Sequence, residues 1–498
     1  MCAALLPALA AHVLLTFTID GDGPVRFGVP LPADALQQGL RIADPAVHLQ
    51  WRILQPNPDP RTGRQWVELA ITGGRGRLRL RAGGVGAIAA DQGSVVRLEE
   101  TTTEDDATRV VRRVHRWRTG EVDRCERVRF RQRGWIAAES FGAGEALTTS
   151  AAPTDGRWLR VHMDDATWMR AEVLPRTGSL GRDLRGRLAE LVPALPQLPG
   201  LRGRGDYGRS KGVVTNLEFD TTLGFARLGL ALQRRDLLQR ALDSARHLVD
   251  RDLDRETGMP FCHGPDHRAY LPEPGHVWLT GTLLVGCLAA DDALIRAARG
   301  MALGLARHPP RGQGRDERAR DYAWPLLEME QWLRFEPHPV VEQAANALGL
   351  DLLRRFDREA KVLRFGEGEQ QDAVYFERAW LTGGCCLPAL RAFARRTGSR
   401  RAHHAIEVME RRLLALVSTG GAGVPTHYWV RRGLVRNQAR KQGGPAVFFY
   451  LEGLAPAALP RVLQRRNVRR ALRDLPCAED EDLATTWSIA ARTTWIYR

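Results

Sequence analysis

The chain has 498 residues, of which 44% are hydrophobic and 26% charged, with a formal net charge of +15. That length exceeds one ordinary core, so two domains are expected, and the composition is that of a soluble globular protein. No apolar run approaches the ~18 residues of a membrane span, and the basic residues, nearly all Arg, lie among Asp and Glu instead of forming the localised stripe of a nucleic-acid binder.

The first residues, MCAALLPALAAHVLLTFTID, are apolar but carry no Lys or Arg before Arg26. A secretory leader needs a positive start, so the run is read as leading into a first strand and a cytoplasmic location is expected, or secretion if the true start lies elsewhere. Seven cysteines, odd in number and without a CxxC pair, favour a reducing compartment and exclude a zinc ribbon. Cys287, Cys385 and Cys386 sit in apolar helical surroundings and read as small core residues.

From about residue 12 to 180 the sequence alternates in short β-branched and aromatic segments, among them LTFTID, GLRIAD, VHLQWRIL, RQWVELAI, GRLRLRA and RVVRRVHRW, separated by Gly, Asp and Pro turns. This predicts a β-barrel or sandwich domain over 1–190. Trp51, Trp66, Trp117 and Trp135 fall within its strands and suit core packing. A Pro/Gly-rich linker follows at 191–208. Residues 209–498 then read as paired helices that turn at Arg234-Arg235-Asp236, Asp291-Asp292, Glu336-Pro337-His338 and Thr397-Gly398-Ser399, roughly 45–60 residues apart. That spacing suits a closed (α/α) toroid with long loops at one rim.

Those loops hold the chemistry. Residues 207–220 supply Tyr207, Lys211, Asn216, Glu218 and Asp220; RHLVDRD supplies His247, Asp250 and Asp252. The stretch GMPFCHGPDHRAYLPEPGHVWLTG, Gly258 to Gly281, holds His263, Asp266, His267, Arg268, Tyr270, Glu273, His276 and Trp278. RDYAWP adds Arg320, Asp321, Tyr322 and Trp324; YFERAW adds Tyr375, Glu377 and Trp380; THYWVR adds His427, Tyr428 and Arg431. Each set alone is consistent with caps or core, but their recurrence at one point of successive hairpins predicts a shared cavity, with His263, His267, His276, Asn216, Tyr322 and Tyr375 on its wall.

Three chemistries fit these residue types. In β-elimination of a uronide, an Arg, Asn or His neutralises the carboxylate and a His, Tyr or Lys takes the α-proton. Glycoside hydrolysis would use a carboxylate pair such as two of Asp220, Asp266 and Glu377. A divalent metal at His263, His267 and His276, with Asp266, is the weaker reading, because Gly264-Pro265 keeps the first two off one helical face. No cofactor is therefore expected. The expected catalytic residues are His263, His267, His276 and Tyr322, and the expected substrate contacts are Tyr207, Asn216, Arg268, Tyr270, Trp278, Trp324, Tyr375, Glu377 and His427. The expected partner is an acidic oligo- or polysaccharide, with neither nucleic acid nor membrane involved.

VRFGVPLPADALQQGLRIAD, with WRIL and RQWVELAI, resembles the N-terminal RIFT-type barrel of YetA-like proteins and exo-rhamnogalacturonan lyases. RHLVDRDL, HGPDHR, PGHVWLTGTLL and RDYAWPLLEMEQWL are similar, in the same order, to the helical toroid of that family. The resemblance spans about residues 12 to 415. It implies a barrel followed by an (α/α) toroid of the six-hairpin glycosidase kind, acting on a pectin-like or other acidic glycan by elimination. It also carries His263, His267, His276 and Trp278 into the site, because they lie in the matching segment. The family's usual C-terminal β-sandwich has no counterpart in the closing TTWSIAARTTWIYR, so a more open cleft is expected and rhamnogalacturonan specificity is not implied.

Overall fold

The computed structural model describes residues 13–438 except 22–24, 85–95, 105–107, 118–121, 132–133, 143–160, 164, 175–178, 196–207, 211–212, 216–218, 255, 263–269, 311–318, 359–360, 364, 366–374, 379–381, 420–426 and 432–433, and beyond 438 only Leu451, Leu454, Val462 and Val468. The chain divides into two compact units: Met1–Arg129 with Ala138–Leu174 and Gly286–Asp292, and Phe130–Ala137 with Pro175–Val285 and Ala293–Arg498.

The first unit is built from strands β1 (Val13–Ile19), β2 (Val25–Pro32), β3 (Leu40–Ile42), β4 (His48–Ile53), β5 (Arg64–Thr72), β6 (Gly76–Ala82), β7 (Val96–Glu104), β8 (Thr108–Trp117), β9 (Val122–Arg131), β10 (Gly134–Gly142) and β11 (Val161–Met163), with short helices α1 (Ala33–Gln37) and α2 (Asp165–Arg170). Among the described residues they form three separate sheets, in the orders β11-β1-β6-β3, β2-β5-β4 and β10-β9-β8-β7. No ladder joins them into one closed barrel. β1 buries alternate residues, Leu15, Phe17 and Ile19, as a half-covered strand must. β2 is buried on both faces, and Phe27 meets Phe17 edge-on at 5.5 Å between ring centroids. Trp51 is a core residue, as its strand position predicts.

A buried charge network crosses this unit. Arg52 donates to the fully buried Glu68 at 2.6 Å and to Asp292 at 2.7 Å, and Arg26 donates to the Ala290 carbonyl at 2.7 Å while lying 3.6 Å from Glu68. Burial opposes charge on Arg52, but the two carboxylates outweigh it and hold the guanidinium protonated. Close packing completes the contact: a Cβ on Gly28 would fall 1.7 Å from the Cys287 carbonyl oxygen, so only glycine fits there.

The second unit is mainly helical. After α3 (Ser179–Leu191) come the hairpins α4 (Thr221–Leu232) with α5 (Arg235–His247), α6 (Thr280–Leu288) with α7 (Asp292–Arg307), α8 (Ala319–Phe335) with α9 (Pro339–Arg355), and α10 (Leu387–Thr397) with α11 (Arg400–Thr419). The polar turns read from the sequence coincide with these four reversals. α4 is apolar nearly all round, with nine residues from Thr221 to Leu230 buried. The second helix of that hairpin carries a stripe: α5 buries Leu237, Leu238, Ala241, Leu242, Ser244, Ala245 and His247 and leaves the rest exposed or partly covered. α4 stops where Gln233 turns left-handed, at φ 52°, and its amide bonds back to the Gly229 carbonyl or near it through the reversal.

Short strands enter the helices. β12 (Gly208–Ser210) pairs with β13 (Val213–Thr215) before α4, and β14 (Phe261–Cys262) with β15 (Tyr270–Pro272) before α6. β16 (Phe356–Asp357) and β17 (Val362–Leu363) follow α9, and β18 (Tyr375–Arg378), β19 (His427–Arg431) and β20 (Leu434–Gln438) form one sheet. Every candidate loop named from the sequence before a helix therefore feeds the start of α4, α6, α8 or α10. Among the described residues no helix is long and apolar enough to cross a membrane.

Candidate functional site

Pro274, Gly275 and His276 form a single 3-10 turn between β15 and α6. Proline at the first position suits such a turn, since its φ is preset and its missing N–H would have no partner there. The His276 amide donates to the Glu273 carbonyl at 3.0 Å. Val277, Trp278 and Leu279 follow, all buried, and lead into α6.

The entry to α6 is locked by two buried carboxylates from other helices. Glu328 of α8 accepts from the amides of Leu279 (3.1 Å) and Thr280 (2.9 Å) and from the Thr280 hydroxyl (2.7 Å). Asp220, ahead of α4, accepts from the Gly281 amide at 2.9 Å and from its own helix at Leu223, 3.1 Å. Three consecutive amides at a helix start, which the helix cannot satisfy itself, thus find acceptors, and negative charge is favoured there. Glycine at 281 is required, because a Cβ would lie 2.2 Å from Asp220 Oδ1.

The turn rests on the first turn of α8. A Cβ on Gly275 would fall 2.2 Å from Asp321 Oδ1 and 3.3 Å from its Cα, so the turn passes against Asp321. His276 Nδ1 lies 3.1 Å from Glu273 Oε2; the imidazole is 4% exposed and the carboxylate 41%. A carboxylate facing Nδ1 favours the proton on that nitrogen and makes Nε2 the basic one. Arg320 Nε lies 3.7 Å from Asp321 Oδ1.

Tyr322 is fixed from the other side. Arg355, at the end of α9, donates to the phenol oxygen at 3.1 Å and stacks on the ring with its guanidinium carbon 4.3 Å from the centroid. Arg355 in turn donates to Asp351 at 3.0 Å. Although burial works against ionisation of Asp351, hydrogen bonds from Arg354 and Arg355 bring its carboxyl below the ordinary range.

Beneath the site lies an aromatic cluster. Trp278 and Trp324 meet at 4.6 Å, and Phe219 contacts Trp324 at 5.3 Å and Trp278 at 5.9 Å. Trp278 and Trp324 are 3% and 1% exposed, so neither presents a face for sugar stacking; the contact role expected for them is replaced by packing. Phe219 and Asp220 both have left-handed backbones, φ 53° and 56°, a costly pair for residues with a Cβ. The bonds of Asp220 and the packing of Phe219 over-determine them.

Of the thirteen expected site residues, His276, Tyr322, Trp278 and Trp324 are described with their side chains: Trp278 meets Trp324, His276 meets Glu273, and Tyr322 meets Arg355. Tyr270, Tyr375, Glu377 and His427 are described as backbone: Tyr270 pairs with Cys262, Glu377 with Tyr428, and Arg378 with His427. Tyr207, Asn216, His263, His267 and Arg268 lie outside the described residues, and so does any metal they would hold. Among the described residues no group of three or more His, Cys, Asp or Glu is placed to bind an ion. His247 and Asp252 form a buried pair of their own, 3.6 Å apart across a π-type turn at the end of α5. Arg355 and Glu328 gave no sequence signal, since their partners are 33 and 48–49 residues away. Glu273 did carry one, three residues before His276.

No protein-family profile and no curated protein sequence matches the chain. Solved structures similar to it include cellobiose 2-epimerase from Bacillus thermoamylovorans, 11% identical, with a TM-score of 0.40 over 59% of this chain and 85% of that one. A polysaccharide lyase is 14% identical, with a TM-score of 0.42 over 66% and 96%. A family 76 glycoside hydrolase from a bovine Bacteroides thetaiotaomicron strain is 10% identical, with a TM-score of 0.40 over 96% and 97%. These neighbours are enzymes of carbohydrates, but likenesses this distant transfer neither fold nor activity to this chain.

Proposed function

We propose that the chain is a carbohydrate-active enzyme that cleaves uronic-acid glycans by β-elimination. The observation that supports the reading is the Glu273–His276 pair, set on a turn that packs against Asp321 of α8. In the proposed step His276 takes the proton on the carbon next to the uronate carboxylate. The C–H electrons form the ring double bond, the bond to the neighbouring glycosidic oxygen breaks, and the Tyr322 hydroxyl returns a proton to that oxygen. Arg320 neutralises the carboxylate, without which that proton is too weakly acidic to leave.

Hydrolysis is the less supported reading. It needs two carboxylates free to act on the glycosidic bond, and Asp220, one of those expected to serve, is committed to two helix starts. Glu328, the other buried acid nearby, is committed likewise. The test is a panel of acidic polysaccharides followed by the ultraviolet absorbance of a 4,5-unsaturated uronide. New reducing ends without that absorbance would overturn elimination in favour of hydrolysis.

A further inference from the structure

The sheet β18-β19-β20 places together residues from two separate parts of the chain. Its register pairs Phe376 with Trp429 and Arg378 with His427; β20 continues the rows by pairing Arg436 with Trp429 and Leu434 with Arg431. Directly paired positions share a sheet face, and so do positions two apart on a strand. One face therefore takes positions Phe376, Arg378, His427, Trp429, Arg431, Leu434, Arg436 and Gln438. Glu377, the one acidic residue in the three strands, is at a position on the other.

We propose that this face binds the carboxylates of an acidic oligosaccharide, which rests on the elimination reading above and extends it to substrate recognition. Three arginines without an acid among them would be costly to bury in an apolar core and are suited to an anion. Arginine forms paired hydrogen bonds to a carboxylate, which a lysine cannot. Trp429 at the centre of the row supplies the flat apolar surface that a pyranose ring covers. Neighbouring strands stand about 5 Å apart and alternate positions along a strand about 7 Å apart. The positions of Arg431 and Arg436, one strand and one row apart, therefore lie about 9 Å from each other and that of Arg378 more than about 10 Å from both, spacings that suit carboxylates on separate sugar units.

The experiment is calorimetric titration of the full chain with trigalacturonate and with its neutral methyl ester. Arg378→Gln with Arg436→Gln should weaken trigalacturonate binding about tenfold or more while leaving the methyl ester unchanged, and the corresponding double Lys variant should recover part of the loss. Trp429→Ala should weaken both probes. Equal binding of trigalacturonate by parent and Gln variant, including none by either, would overturn the proposal. So would a single-stranded oligonucleotide that binds more tightly and with the same arginine dependence. Arginine-dependent binding without any unsaturated product would sink elimination and leave this face standing; cleavage with arginine-independent binding would do the reverse.

Discussion

In the proposed elimination His276 and Glu273 act as a pair. The histidine is buried, Nε2 included, and the glutamate half-exposed, so the carboxylate holds the ring at Nδ1. Glu273→Gln keeps a hydrogen-bonding oxygen but removes the charge that favours imidazolium as the proton arrives. Turnover should fall about tenfold or more, and about a hundredfold or more for His276→Ala, as expected for a general base; steady-state rates on the active polysaccharide read both. Full activity in His276→Ala would remove the residue from the mechanism. Tyr322 and Arg355 form a second such unit. A double-mutant cycle with Tyr322→Phe and Arg355→Met should show about 1 kcal/mol or more of coupling in urea unfolding, typical of contacting residues; additive losses would mean that the bond contributes nothing. The sequence singles out His276, Tyr322 and Trp324 because short polar and aromatic motifs interrupt apolar helices, but it does not show that Trp324 is buried in packing. Arg355 was not legible, because a lone arginine at a helix end resembles any favourable C-terminal charge.

Among the elements, the entry to α6 owes its position to acids borrowed from α8 and from the start of α4. Asp220→Ala would leave the Leu223 and Gly281 amides without acceptors and keep a left-handed backbone that alanine resists. The expected loss is about 2–5 kcal/mol in urea unfolding, from about 1–3 for each unsatisfied buried group. Asp220→Asn retains an acceptor oxygen and tolerates that backbone better, so it should lose clearly less. Equal losses would mean that the site needs the charge and not the geometry. A titratable acid elsewhere ties α8 to α10: Glu330 accepts from Arg396 at 2.7 and 2.8 Å. Burial pushes the Glu330 carboxyl above the ordinary range, with Arg396 opposing. A raised carboxyl favours the protonated folded state. Relative to Glu330→Gln, the parent should therefore lose stability as pH rises from about 4.3, the unfolded value, through the raised folded one. A difference that instead grows with pH would show Arg396 prevailing. The helices and their reversals could be read from apolar spacing, since burial of one stripe is a local property. The closure of the strands could not, because alternation predicts a covered face and not which strands share a ladder.

For the molecule as a whole, the net charge of +15 bears on association more than on folding. The arginines are spread over both units, and many are already paired, as in the Arg26–Glu68–Arg52 and Glu330–Arg396 contacts. The surplus nevertheless raises the local concentration of a polyanion and speeds its approach. Screening over about 8 Å at physiological ionic strength weakens that attraction between exposed charges. Binding of a polyuronate should therefore fall steadily between low and physiological salt, with most of the change in the association rate, while dissociation, governed by short-range contacts, changes less. The neutral methyl ester should show no such slope. Surface plasmon resonance across a salt series separates the two rates. An affinity for polyuronate that is flat with salt, or a preference for the ester, would mean that the positive charge is only a solvated surface and that any glycan is selected by neutral contacts.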